Sequence, residues 1–310
     1  MKNLKSVSTI ILVLSLSIVV WFNLLDKNTH ADSVFSSEAA TVNASVEPTP
    51  DATAVYKPSG FEAISDYHFG KRDRVQWFLP KALHEVSGLA ALRGELGEEL
   101  ALIHNDEVAI VFEFNVSTGD IKKRFQLGEP ALKLDLEGIA LLDGDVFLVT
   151  SKGFIYQIPG GVNRFGLVED YVIHDSGLEE VCEIEGLEAD LAPEHLVLVC
   201  KRMYERGADF ISLYRFFPGI TGSTKILDVP FELIGEKIHP SAVTTRFGDY
   251  IILAGKERRV FQLSASGELI ASGKLKKKHH RQPEGIAFMS SGRLVIADEG
   301  SGQKGRITTY

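Results

Sequence analysis

The sequence predicts an all-β fold: a five-bladed β-propeller closed by an N-terminal strand and preceded by one apolar helix. Three observations carry this. Units of about 40–50 residues recur five times, and their apolar residues alternate with period two rather than 3.6. A strand-like segment, residues 74–80, precedes the first unit and belongs to none.

The elements follow in chain order. Lys2 and Lys5 precede an apolar run over residues 8–25 that includes Leu12, Leu14, Ile18, Val20 and Trp21. In a helix that run reaches about 27 Å, enough to cross a hydrocarbon core. The lysines favour a cytoplasmic N-terminus and export of the remainder. Two readings of residues 1–30 stay open. One is a retained transmembrane signal-anchor in a bacterial inner membrane, with the domain in the periplasm. The other is a signal peptide cleaved after Ala31, leaving a soluble periplasmic protein. Residues 31–69, with Pro48, Pro50 and Pro58 and no sustained period, read as a flexible linker. Residues 70–310 form the propeller domain, expected to be a monomer.

Each unit opens with a short column: Glu85-Val-Ser-Gly-Leu-Ala, Asp135-Leu-Glu-Gly-Ile-Ala, Glu183-Ile-Glu-Gly-Leu-Glu, His239-Pro-Ser-Ala-Val-Thr and Gln282-Pro-Glu-Gly-Ile-Ala. A second apolar run follows after a turn, then an alternating third such as Val111-Phe-Glu-Phe and Val260-Phe-Gln-Leu. A fourth run occurs in four copies, over residues 120–127, 167–174, 224–229 and 268–274. The fifth unit has three runs, so residues 74–80 are expected to supply its outer strand and shut the ring. Six blades would need strands from residues 52–70, which are too few and poorly patterned. Gly88, Gly138, Gly186 and Gly285, with Ala242 in the fourth unit, read as small residues where innermost strands crowd the axis.

The same columns carry the candidate chemistry. The residue before the glycine is Ser87, Glu137, Glu185, Ser241 and Glu284. Two residues earlier stand Glu85, Asp135, Glu183, His239 and Gln282, on the same strand face. A propeller gathers these at one channel mouth. Converging carboxylates must be protonated, paired with cations or bound to metal. Calcium takes such hard oxygen ligands, and Glu137, Glu185, Glu284 and Glu299 are the expected set. The rival reading is internal pairing. The ends of the second runs read Asp106, Lys152, Lys201, Lys256 and Glu299, and Lys152 and Lys201 could neutralise Glu137 and Glu185. In the fifth unit a turn at Ser291-Gly292 is expected to set Glu284 opposite Glu299, beside Asp298. Cys182 and Cys200, equidistant from Leu191, could form a disulfide or remain buried thiols.

Thirty-three basic against 42 acidic side chains leave a net charge of −9, which argues against a nucleic-acid partner. The histidines show no zinc spacing, and no Gly-x-Ser-x-Gly elbow or Gly-rich phosphate loop occurs.

The repeated Glu-Gly-Ile/Leu elements, Asp298-Glu299 and the N-terminal anchor resemble the SdiA-regulated, YjiK-like family of bacterial propellers. The resemblance implies five blades, a bound calcium ion and a distant relation to NHL-repeat and strictosidine-synthase-like propellers, some of them hydrolases. It implies no established activity. Two function classes follow. One is a calcium-organised module binding a small-molecule, peptide or envelope ligand. The other is a hydrolase of lactones, esters or phosphoesters that uses the same metal.

Overall fold

The computed structural model describes residues 63–70, 74–93, 98–191 and 194–310. The apolar segment at residues 8–25 and most of the expected linker lie outside these. Among the described residues no helix is long and apolar enough to cross a membrane.

Five antiparallel sheets form a ring, as the repeat predicts. The first blade holds β2 (Val86–Arg93), β3 (Glu99–Asn105), β4 (Ile110–Asn115) and β5 (Ile121–Leu127). The second is β6 (Leu136–Leu142), β7 (Asp145–Thr150), β8 (Phe154–Ile158) and β10 (Val172–Asp175). The third runs β11 (Cys182–Leu191), β12 (Glu194–Met203), β13 (Phe210–Phe216) and β14 (Thr224–Pro230). The fourth is β15 (Ala242–Arg246), β16 (Asp249–Ala254), β17 (Arg259–Leu263) and β18 (Leu269–Lys274). The last joins β19 (Pro283–Phe288), β20 (Leu294–Asp298) and β21 (Arg306–Thr309) to β1 (Val75–Phe78), which pairs with β21 from Val75↔Thr309 to Phe78↔Arg306. The single strand expected over 167–174 is split. A short β9 (Gly166–Val168) adds in parallel to β5 of the preceding blade, and only β10 completes its own.

The core lies between blades, in five clusters, one for each neighbouring pair. Alternation within one strand explains why second strands read as unbroken apolar runs. Leu196, Leu198 and Cys200 of β12 face the second blade, whereas Val197 and Val199 face the fourth. Ile64, Tyr67 and Phe69 are buried between the fourth and fifth blades, and the Ile64 amide donates to Gln262 Oε1 at 2.8 Å. The linker expected to run to residue 69 therefore stops earlier, because these three apolar side chains have a groove to fill.

The inner glycines do what their column suggested. A Cβ on Gly138 would stand 2.6 Å from the Leu187 amide nitrogen, and one on Gly186 would stand 2.9 Å from that of Val243. Innermost strands of successive blades pack backbone against backbone around the axis.

Cys182 and Cys200 are joined, with Cα atoms 5.8 Å apart. They are not directly opposite. Cys182 faces Met203 and Cys200 faces Ile184, because the hairpin turns beyond Leu191 and carries a bulge.

Candidate functional site

A β-bulge builds the channel mouth in four of the five blades. The ladder slips between Val86 and Gly88, between Leu136 and Gly138, on both sides of Ile184, and between Pro283 and Gly285. The residues left without a ladder partner include Ser87, Glu137, Glu185 and Glu284. A bulge frees a residue from the pleat and re-aims its side chain. All four line one cavity of about 170 Å³, with Glu85, Asp106, Gln282 and Glu299. In the fourth blade Ala242 replaces the glycine, and the ladder runs unbroken from Ala242↔Leu253 to Arg246↔Asp249.

The bulge also corrects one expectation. Glu284 is not opposite Glu299, since the pairs are Pro283↔Asp298 and Gly285↔Ala297. Gln282 takes that place instead: its carbonyl accepts the Glu299 amide at 2.8 Å, and its side-chain amide donates to the Glu299 carboxylate.

Electrostatics in this well are dominated by burial. Loss of solvent pushes Glu137 up to about 9, with the charges of Glu185 and Asp135 adding to the shift. Glu284 is raised to about 8 by burial and then by Glu185. Glu299 reaches about 8 through burial and a shared hydrogen bond with Glu85. Burial lifts Glu185 to about 7 against the pull of Lys201, and Asp106 to about 6. Ser87 Oγ donates to Glu137 Oε2 at 3.4 Å, a long contact. Among the described residues Lys201 is the one cation lining the well; its ammonium bonds Glu185 and stands 3.7 Å from Glu183, which Arg202 holds at 2.8 Å.

Other expected mouth residues fall elsewhere. Lys152 does not reach Glu137: it points outward to Glu179 at 2.9 Å, because Gly153 turns the chain away immediately afterwards. Asp298 is buried behind the mouth, where it bonds His280 Nδ1 at 2.8 Å; His280 in turn bonds Tyr310. Asp135 is exposed and accepts from Ser151. His239 pairs with Glu257 at 2.9 Å. Glu183, His239 and Lys256 line a second, larger cavity of about 580 Å³ that adjoins the well and shares Lys201 and Glu284 with it. Three of its cations, Arg202, Arg258 and Arg281, were not expected, because they sit outside the repeated columns.

The well's donor set, all hard oxygen, suits calcium in kind. Its spacing is not that of a finished cage. Among the described residues no three His, Cys, Asp or Glu side chains stand as ligands of one ion.

No family model matches the chain. No curated protein matches it either. Solved structures do. Glutaminyl cyclase from Myxococcus xanthus is 14% identical over 76% of this chain and 96% of its own, with a TM-score of 0.50. The aldose sugar dehydrogenase of Streptomyces coelicolor, solved with bound PQQ, is 14% identical over 77% and 98%, with a TM-score of 0.44. A luciferin-regenerating enzyme is 10% identical over 76% and 94%, at 0.48. At 14% identity the likeness to the cyclase concerns the fold alone; with the five-sheet ring described above, the chain is a β-propeller.

Proposed function

We propose that this propeller is the ligand-binding module of an exported, membrane-tethered protein of the SdiA-regulated, YjiK-like kind, and that its acidic well takes a calcium ion. One observation carries the reading. Carboxylates from separate blades meet in one well with, among the described residues, a single lysine, so any form with two or more of them ionised carries surplus negative charge. Glu137, Glu185, Glu284 and Glu299 would hold the ion after local side-chain adjustment, with Gln282 and Ser87 as further oxygen donors. A bound cation would neutralise the well and polarise a ligand oxygen at its rim. The tether rests on residues 1–30, outside the described part of the chain.

A hydrolase is the second reading, and Glu284 favours it. Glu284 lines both cavities, so an ion it holds in the well would face a ligand in the larger cavity.

The test is thermal melting at pH 8 in calcium, magnesium or EDTA. A ligand that binds only the folded state adds about 2.7 kcal/mol at a hundredfold excess over Kd. Calcium should raise the melting temperature more than magnesium, and Glu185→Gln with Glu284→Gln should abolish the response. Identical melting in calcium and EDTA, with no metal by elemental analysis, would remove calcium from the reading. Calcium-dependent turnover of a lactone, aryl ester or phosphoester would select the hydrolase.

A further inference from the structure

The larger cavity beside the well has one wall of positive charge. Lys256 and Arg258 come from the turn between β16 and β17, and Arg281 from the segment entering β19. Lys201 and Arg202, also on this wall, are engaged by Glu183 and Glu185. Lys256, Arg258 and Arg281 differ. None has a side-chain hydrogen bond or ion pair with any described residue. The chain carries 42 acidic side chains against 33 basic ones, yet it leaves these three cations unneutralised on one concave surface.

Arg258 supplies a second observation. It occupies the left-handed region, with φ of 52°, immediately before the third strand of its blade. In the second blade the equivalent position is Gly153, with φ of 83°. That conformation favours glycine, since an L side chain there is strained. A long charged residue at a glycine position fits a requirement for the guanidinium at the cavity. Ser241, which also lines the cavity, is buried and its hydroxyl donates to the Pro283 carbonyl at 2.8 Å, which fixes that part of the wall.

We propose that Lys256, Arg258 and Arg281 form an anion subsite that holds the phosphate or carboxylate group of a small polar ligand whose remainder reaches toward Glu284. Guanidinium forks match the paired oxygens of both groups. A cavity of about 580 Å³ falls in the size range of small-molecule sites. The subsite deepens the ligand-binding reading above by naming the ligand's class, and it does not need the calcium ion. The two are linked, because an anion on this wall meets the field of the carboxylate well. Neutralising the well by calcium should tighten the anion, and the anion should tighten calcium by the same factor.

The experiment titrates the full-length protein with inorganic phosphate, and separately with acetate, at low ionic strength by calorimetry. Arg258→Gly, Arg281→Gln and their combination are compared with Lys278→Gln, which lies off the cavity. Wild type and Lys278→Gln should bind one anion per chain, and the double variant at least tenfold more weakly. Arg258→Gly should melt no lower than wild type, since glycine suits that φ, while it loses anion affinity. That separates recognition from a structural role. A preference for phosphate or for acetate identifies which group the ligand carries. Absence of saturable binding by either probe, or equal affinity in wild type and double variant, overturns the subsite. A retained calcium response in the double variant would show that the well stands without it. Anion binding that survives Glu185→Gln with Glu284→Gln would show the reverse.

Discussion

The ammonium of Lys201 is bonded to the carboxylate of Glu185, and among the described residues it is the one cation lining a well of five Glu and one Asp. Around it stand carboxylates from the first, second, third and fifth blades. This pair therefore sets how much charge the well can carry without help from solution.

Lys201→Met should destabilise the domain by about 1–3 kcal/mol at pH 8. This is less than the 3–5 typical when a fully buried pair is broken, because the lysine side chain stays 36% exposed. The loss should shrink at pH 5, where Glu137, Glu284 and Glu299 are protonated, and Glu185→Gln in the same chain should recover part of it. Urea unfolding at the two pH values measures both. An unchanged midpoint at pH 8 would mean that Glu185 is neutral without its lysine.

The pH dependence has a calculable sign. Glu137, Glu284 and Glu299 titrate at about 9, 8 and 8 when folded, against about 4.5 when unfolded. Between those values the folded state binds more protons, so stability falls as pH rises from about 4.5 to about 9. Buried His104 works the other way. Loss of solvent lowers it to about 4, so its contribution is lost as pH falls from about 6.5 to 4. In metal-free buffer the melting temperature should peak in mildly acid solution and decline through neutrality. Glu137→Gln should flatten the alkaline limb, and melting curves from pH 4 to 9 will show whether it does.

Shortening the chain from its N-terminus should act in steps. Removing residues 1–62 leaves every described contact in place and should not change the melting temperature. Removing residues 1–73 takes away buried Ile64, Tyr67 and Phe69, so a drop of several degrees is expected. Removing residues 1–82 also deletes β1, leaves β21 as an unpaired edge and should end cooperative unfolding. A chain starting at residue 83 that melts at the wild-type temperature would contradict the role of β1 in closure.

Blade number, closure and the gathering of Glu137, Glu185 and Glu284 were legible in the sequence, because period-two patterning and equivalent repeat positions fix them together. What stayed hidden has a physical cause in each case. A bulge changes which residues face each other, and its one mark, the column glycine, reads equally well as close packing at the axis, so the slip separating Glu284 from Glu299 is not distinguishable in the sequence. Lys152 shares a column with Lys201, but the left-handed Gly153 turns the chain away after it. Arg258 lies in a turn, outside any repeated column; its one signal was to stand where the second blade has glycine. Ile64, Tyr67 and Phe69 look like linker in the sequence, because so short a segment shows no period of its own.

The pairing of Val75 with Thr309 has a mechanical consequence. The two strands run antiparallel, so the start of β1 and the end of β21 lie side by side. Tension applied at those two points loads the ladder one rung at a time and peels the strands apart. Pulling at the start of β1 and the start of β21 instead would load all four rungs together in shear. The seam of the ring should thus resist force strongly in one direction and open like a zip in the other.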